Sequence, residues 1–354
     1  MAEFNQPEQK VGTQYNADTI NNYGVTSPVI PLQLPARVEH FTGRETEIEQ
    51  VIQGLTSEGI VTLWGPGGIG KTAILWKALG QLLPEHGPPP AFPGGVILHN
   101  FYVSPQAQSV LESIALALGE EAKPTPEAAA RRALGKSKRV LLLLEGVENV
   151  DDLDLVREVA GGSGLILATR DLRQVHGALV EVEPLPANEA RELLLAWAGS
   201  RAQDQAAVDR VCTLVGGLPL ALSLAGRYLR EAFQTVGEYL AWLQESGLEA
   251  LDFGQRQAQS VPLMLHKSLG RVGDAERRAF AVVGRLALDS FDHRAVAAAL
   301  GLEEGTVGRQ LGVLVRYGLL EREEKTQRYT VTHALVHTFA RTQSEPELQS
   351  EKGW

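Results

Sequence analysis

Apolar positions in the first half of the chain fall into short continuous runs rather than helical stripes. Ile60–Trp64, Val96–Phe101, Val140–Leu144, Gly164–Ala168 and Leu179–Val182 are short, rich in Val, Ile and Leu, and bounded by glycines or polar turns. That pattern predicts strands buried on both faces. Glu45–Leu55 before the first of them, and Ala107–Leu118 and Glu127–Leu134 between them, carry apolar residues at helical spacing. Strands alternating with helices predict an α/β domain over 41–186, a parallel sheet with helices on both faces. From about Pro186 the strand-like runs stop, and amphipathic helices are expected at Asn188–Ala198, Gln205–Val215, Leu220–Arg230 and Val236–Gln244, an all-α helical domain over 187–259. A third domain over 260–342 reads as helices at Asp274–Leu288, His293–Leu300 and Thr306–Tyr317, two short strands at Leu319–Arg322 and Arg328–Val331, and a last helix from His333 to Arg341. Three helices followed by a hairpin predict a winged-helix domain. Residues 1–40, dominated by Gln, Asn and Thr and punctuated by Pro28, Pro31 and Pro35, read as a leader and linker, and 343–354 as a polar tail. No internal repeat is visible.

Composition narrows the function classes. No apolar run approaches the roughly 18 residues that span a bilayer, so no membrane partner is expected. The first ten residues have neither a basic start nor an apolar core, and Cys212 is the only cysteine, which together point to a reducing cytoplasm. With 33 basic and 43 acidic residues the chain carries a charge of −10, which argues against a nucleic-acid-coating protein, and no nucleic-acid partner is expected.

The most specific chemical signal is Gly65-Pro66-Gly67-Gly68-Ile69-Gly70-Lys71-Thr72, which fits G-x-x-x-x-G-K-[ST] between a predicted strand and a predicted helix. Glycines let successive N–H groups turn toward a phosphate, the helix N-terminus adds positive potential, and Lys71 neutralises the β- and γ-phosphates. Thr72 would place its hydroxyl on Mg²⁺. Such a site needs an acidic strand end, and Val140-Leu141-Leu142-Leu143-Leu144-Glu145 supplies one. Glu145 is a candidate for the metal, for the catalytic base, or for both. Gly146 follows it and has no side chain, so hydrolysis is expected to be slow or conditional.

These motifs, with others in the same order, resemble the NB-ARC or AP-ATPase branch of the STAND class of signalling P-loop ATPases, related to the apoptosome ATPase and plant disease-resistance proteins. The resemblance runs from about Phe41 to Arg341. It implies an ATP- or ADP-binding site with Mg²⁺, in which Phe41, Thr42 and Arg44 pack on adenine and ribose. Gly67, Gly68, Ile69, Gly70, Lys71, Thr72 and Ala73 would hold the phosphates. Leu165-Ile166-Leu167-Ala168-Thr169-Arg170 is similar to the family strand whose arginine senses the γ-phosphate, a task suited to the permanently charged fork of Arg170. The resemblance thus makes Lys71, Glu145 and Arg170 the catalytic candidates, and Thr72 and Glu145 the metal ligands. Gly216-Gly217-Leu218-Pro219-Leu220 is similar to the motif whose proline touches adenine, and Tyr329-Thr330-Val331-Thr332-His333 to the region whose histidine contacts the β-phosphate of ADP. Two positions depart from the family: Gly146 replaces a second acidic residue and Ala334 the aspartate after the histidine.

The resemblance implies a signalling switch: ADP holds a closed monomer, and ATP opens it for self-association. Residues 10–24, rich in Asn, Gln, Tyr and β-branched residues, look like short amyloid-type motifs that template a downstream effector. Members of the family usually continue into sensor repeats, and residues 343–354 are not expected to form one, which leaves an excised core or a sensor on another chain; the richness in Ala, Leu, Gly and Arg looks bacterial. An ATP-regulated winged-helix transcription factor is the alternative, although its recognition helix would offer only Arg309 and Arg316 alongside Gly308 and Gly312.

Overall fold

The computed structural model describes residues 30–35, 37–286, 290–323 and 326–343. The proposed signalling segment 10–24 and most of the polar tail lie outside them.

The first half contains α1 (Glu45–Ser57), β1 (Ile60–Trp64), α2 (Lys71–Leu82), β2 (Val96–Asn100), α3 (Ala107–Ala117), α4 (Pro126–Lys136), β3 (Leu141–Glu145), α5 (Leu153–Ala160), β4 (Gly164–Thr169) and β5 (Ala178–Glu181). The strands form one parallel sheet in the order β2-β3-β4-β1-β5. Alternation within β3 shows why its apolar run is continuous: Leu141 and Leu143 enter one core, Leu142 and Leu144 the other, on opposite faces of the sheet. Register aligns the strand ends, with Asn100 opposite Glu145, Glu145 opposite Ala168, and Trp64 opposite Thr169. The loops leaving these ends therefore share one edge, where open parallel sheets bind ligands.

The second half is helical: α6 (Ala187–Ala198), α7 (Gln205–Leu214), α8 (Pro219–Ala232), α9 (Val236–Glu245), α10 (Phe253–Leu269), α11 (Asp274–Arg285), α12 (His293–Leu300) and α13 (Glu304–Arg316). An antiparallel pair, β6 (Leu320–Arg322) and β7 (Tyr329–Val331), and α14 (Ala334–Thr342) follow. The core on one face of the sheet continues without a break through these helices to Phe280, Leu311 and Val336.

Two helices depart from the sequence expectation. Helix α5 buries Leu153, Val156 and Val159 but is short. Helix α10 runs straight through the boundary expected at 259/260, and its polar start, capped by Asp252 in a capping box with Gln255, hides it from apolar periodicity; it also carries Pro262 internally. The strand expected at 96–101 ends at Asn100, and the helix expected to start at His333 starts at Ala334.

One buried arginine joins the helices to the hairpin. Arg227 of α8 lies over the Trp197 ring at 4.0 Å and donates to the Val315 carbonyl at 3.2 Å. Its guanidinium is 3.7 Å from Glu39 and 4.0 Å from Glu321.

Candidate functional site

The glycine-rich loop leaves β1 and turns into α2 at Lys71. Gly68 and Gly70 have φ of +80° and +103°, which side-chain-bearing residues rarely adopt. Gly70 caps α2 without a side-chain acceptor, which leaves first-turn N–H groups for a ligand. Lys71 folds back on the loop, donating from Nζ to the carbonyls of Gly65 at 2.7 Å and Pro66 at 3.1 Å. Burial, reinforced by Arg170 and opposed by Glu148 and Glu145, lowers its ammonium to about 8.

Thr72, one residue into α2, donates its hydroxyl to Glu145 Oε1 at 2.5 Å. Burial raises the Glu145 carboxyl above the ordinary range, while the Thr72 hydroxyl and Lys71 pull it back. A hydroxyl and a carboxylate meeting beside a phosphate loop are a donor set that suits Mg²⁺, which keeps several waters and takes its other ligands from substrate phosphates. Among the described residues no group of three or more His, Cys, Asp and Glu could hold an ion by itself, so an ion here would depend on the phosphates.

Arg170 follows β4 and lies against the loop: a Cβ on Gly67 would stand 2.9 Å from its Cζ. Its guanidinium faces the Tyr102 ring at 5.0 Å, and Nε is 3.5 Å from Glu148 Oε1. Sequence reasoning singled out neither Tyr102 nor Glu148. Glu148 lies two residues past Gly146 in a short turn, and nothing in the spacing marks it; only the folded register brings Tyr102 and Thr169 to it.

The helical half reaches the same loop. Leu220 donates its backbone N–H to the Gly68 carbonyl at 3.2 Å, and a Cβ on Gly70 would stand 3.7 Å from Pro219 Cγ. His333 caps α14, its Nδ1 accepting from the Leu335 N–H at 3.1 Å. A ring nitrogen that accepts this bond leaves the proton of the neutral imidazole on Nε2. Burial, with Arg170 and Lys71 nearby, lowers His333 to about 3, so the ring is neutral near pH 7. A cavity of about 540 Å³ opens between Pro66, Gly67 and Arg170 on one side and Val261, Leu335 and Phe339 on the other.

The remaining nucleotide candidates lie at the other end of the loop. Arg44 is buried, with Nη1 2.6 Å from Glu47 Oε1 and Nη2 donating to the carbonyls of Glu183 at 2.6 Å and Ile69 at 3.4 Å. It thereby ties α1 to the phosphate loop. Thr42 donates to Glu192 at 2.7 Å, and Phe41 sits under the Lys77 ammonium at 5.1 Å. Ile69 is fully buried under the loop, and Ala73 occupies the first turn of α2.

The parallel five-stranded sheet, the loop after its β1 and the helix that loop opens have the arrangement of a P-loop NTPase. No family model matches the chain. Over 215 residues, 54% of the chain, it is 26% identical to TMV resistance protein N of Nicotiana glutinosa, and it spans only 18% of that protein's length. Solved structures similar to it include a Walker-type ATPase of Pyrococcus abyssi (13% identity, TM-score 0.42, covering 88% of this chain and 99% of that one). Others are Cdc6p of Pyrobaculum aerophilum (13%, TM-score 0.43, 88% and 96%) and the RuvB Holliday junction branch migration motor of Thermotoga maritima (15%, TM-score 0.37, 84% and 94%). Among the described residues no helix is long and apolar enough to cross a membrane.

Proposed function

We propose that this chain is the core of a nucleotide-operated signalling switch of the STAND class, NB-ARC type. ADP is held among a P-loop domain (41–186), a helical domain from 187 and a winged helix that ends near 342, the last two meeting in α10, and ATP with Mg²⁺ favours an open form that self-associates. The observation that carries the reading is the Leu220 N–H bonded to the Gly68 carbonyl: the phosphate loop is shared between the sheet and the helical half. Ligand charge at the loop therefore bears directly on how the two halves sit.

Each group has a task that its chemistry suits. The first-turn amides of α2 and Lys71 hold the β-phosphate, which draws Lys71 away from the loop carbonyls. His333 donates from Nε2 to a phosphate oxygen and favours the closed form, whereas Arg170 rewards a γ-phosphate. Thr72 and Glu145 would hold Mg²⁺, which supplies shielding of the phosphate charge. Phe41, Arg44 and Pro219 flank the side of the loop where adenine and ribose would lie.

Denaturing the purified, dialysed protein and identifying the released nucleotide by chromatography tests this. Close to one ADP per chain, lost in Lys71→Ala, is the expected result, together with sedimentation that differs between ADP and ATP. A wild-type chain that carries no nucleotide and shows no thermal shift with either one would refute it.

A further inference from the structure

Gly146 leaves the strand end without a second acidic side chain, and the structure shows what occupies that space. With φ at +70°, a Cβ on Gly146 would lie 2.7 Å from Cε2 of Tyr102. The Tyr102 hydroxyl then donates to Glu148 Oε1 at 2.5 Å. The other carboxylate oxygen of Glu148 accepts from the Thr169 hydroxyl and from the backbone N–H of Arg170, both at 3.2 Å. The backbone of Arg170 is thus bonded to a carboxylate held on both oxygens, and its guanidinium lies in that carboxylate's field at 3.5 Å.

We propose that Glu148, buttressed by Tyr102, is the positioning residue that sets Arg170 against the phosphate loop and so determines the preference for ATP over ADP; this rests on the switch reading above. The Tyr102 ring carries one side of the guanidinium, Gly67 of the loop lies on another, and the charge of Glu148 faces Nε at 3.5 Å without a hydrogen bond. A planar cation flanked by a ring and the loop and drawn toward one fixed carboxylate has fewer orientations open to it, which suits a two-point grip on phosphate oxygens. Because the oxygens of Glu148 already accept from Tyr102, Thr169 and Arg170, the carboxylate is engaged in orientation rather than free to take a proton from water. The ring of Tyr102 and the missing side chain at Gly146 are two halves of one arrangement, since any residue larger than glycine there would push the ring off Arg170.

The test is calorimetric binding of ADP and of a β,γ-imido ATP analogue, each with Mg²⁺, to the full chain. Glu148→Gln should lower the analogue-over-ADP preference about tenfold and Tyr102→Phe about threefold, with ADP affinity within about twofold of wild type. In an Arg170→Ala background, which itself loses the preference, Glu148→Gln should change nothing further. A preference that survives or rises in both single variants, or a Glu148→Gln loss that persists without Arg170, would overturn the proposal. A wild-type chain that binds neither nucleotide would instead overturn the switch reading itself.

Discussion

Replacing Arg227 by alanine should loosen the hairpin from the helical half, and the size of the effect follows from its contacts. The guanidinium is buried, stacked on Trp197 at 4.0 Å and bonded to the Val315 carbonyl at 3.2 Å. A desolvated cation over tryptophan is worth about 2 kcal/mol and a charged hydrogen bond about 1.5–3 kcal/mol. The ion pairs at 3.7 and 4.0 Å add little, because Glu39 is mostly exposed and Glu321 only half-buried. Against these stands the desolvation of the arginine itself, which lowers its own pKa. The expected net loss is about 3 kcal/mol, which at roughly 2 °C per kcal/mol for a chain of this size lowers the melting temperature by about 6 °C. The loss should shrink on acidification. Burial already raises the Glu321 carboxyl and Arg227 opposes that rise, so without the arginine Glu321 protonates at higher pH and its penalty disappears there. Urea unfolding at pH 7 and at pH 4.5, with limited proteolysis of the hairpin, measures both effects. A variant within about 0.5 kcal/mol of wild type at pH 7, or a loss that grows toward pH 4.5, would refute the reasoning.

Three further outcomes are expected. His333, ordinarily near 6.5 and lowered to about 3 in the fold, must stay neutral, so the stability it allows is complete above 6.5 and is lost as pH falls toward 3. Since part of its surface remains accessible, the loss at pH 5 is put at about 1 kcal/mol, and His333→Asn should flatten the pH 5–7 dependence of urea unfolding by that amount. Gly146→Ala forces a positive φ and a 2.7 Å approach to Tyr102, costing about 2–3 kcal/mol, and Tyr102→Ala in the same chain should recover part of it in the same assay. Glu145→Gln, which removes the charge facing Thr72, should lower the gain in nucleotide affinity on adding Mg²⁺ by about tenfold, read by titration calorimetry with and without the ion.

How much was legible in the sequence depended on how local the signal was. Buried parallel strands announce themselves because both faces must be apolar, so Leu141–Leu144 could be placed to within a residue. The phosphate loop was readable because each position answers a backbone requirement of its own. Helix α10 was not, since Gly254, Gln255, Gln257 and Gln259 carry no apolar stripe and the helix depends on its cap and on packing against α8 and α14. The Tyr102–Glu148 pair was equally hidden, because 46 residues separate its members and only the β2–β3 register joins them. His333 illustrates a third case. The resemblance suggested a phosphate contact, the structure makes it the cap of α14, and the two are compatible because each uses a different ring nitrogen.

The proposed switch imposes an energetic condition on these contacts. Helix α8 begins at the phosphate loop through Leu220 and Gly68, and about two turns further along carries Arg227, which is fixed to Val315 next to the hairpin. In the proposed switch α8 would carry a change in the loop to the hairpin, while α14 sets His333 within reach of the charges of Arg170 and Lys71. Moving such an equilibrium from almost fully closed to almost fully open requires about 5.5 kcal/mol of differential ligand binding. A charged contact between Arg170 and a γ-phosphate supplies about 1.5–3 kcal/mol, less than this requirement. Contacts surrendered on opening add to the requirement, so the bond of Arg227 to Val315, which joins α8 to the strand-pair region, sets part of what the nucleotide must overcome. An Arg227→Ala chain, in which the hairpin is held less tightly to α8, should accordingly open with ATP at nucleotide concentrations that leave the wild type closed.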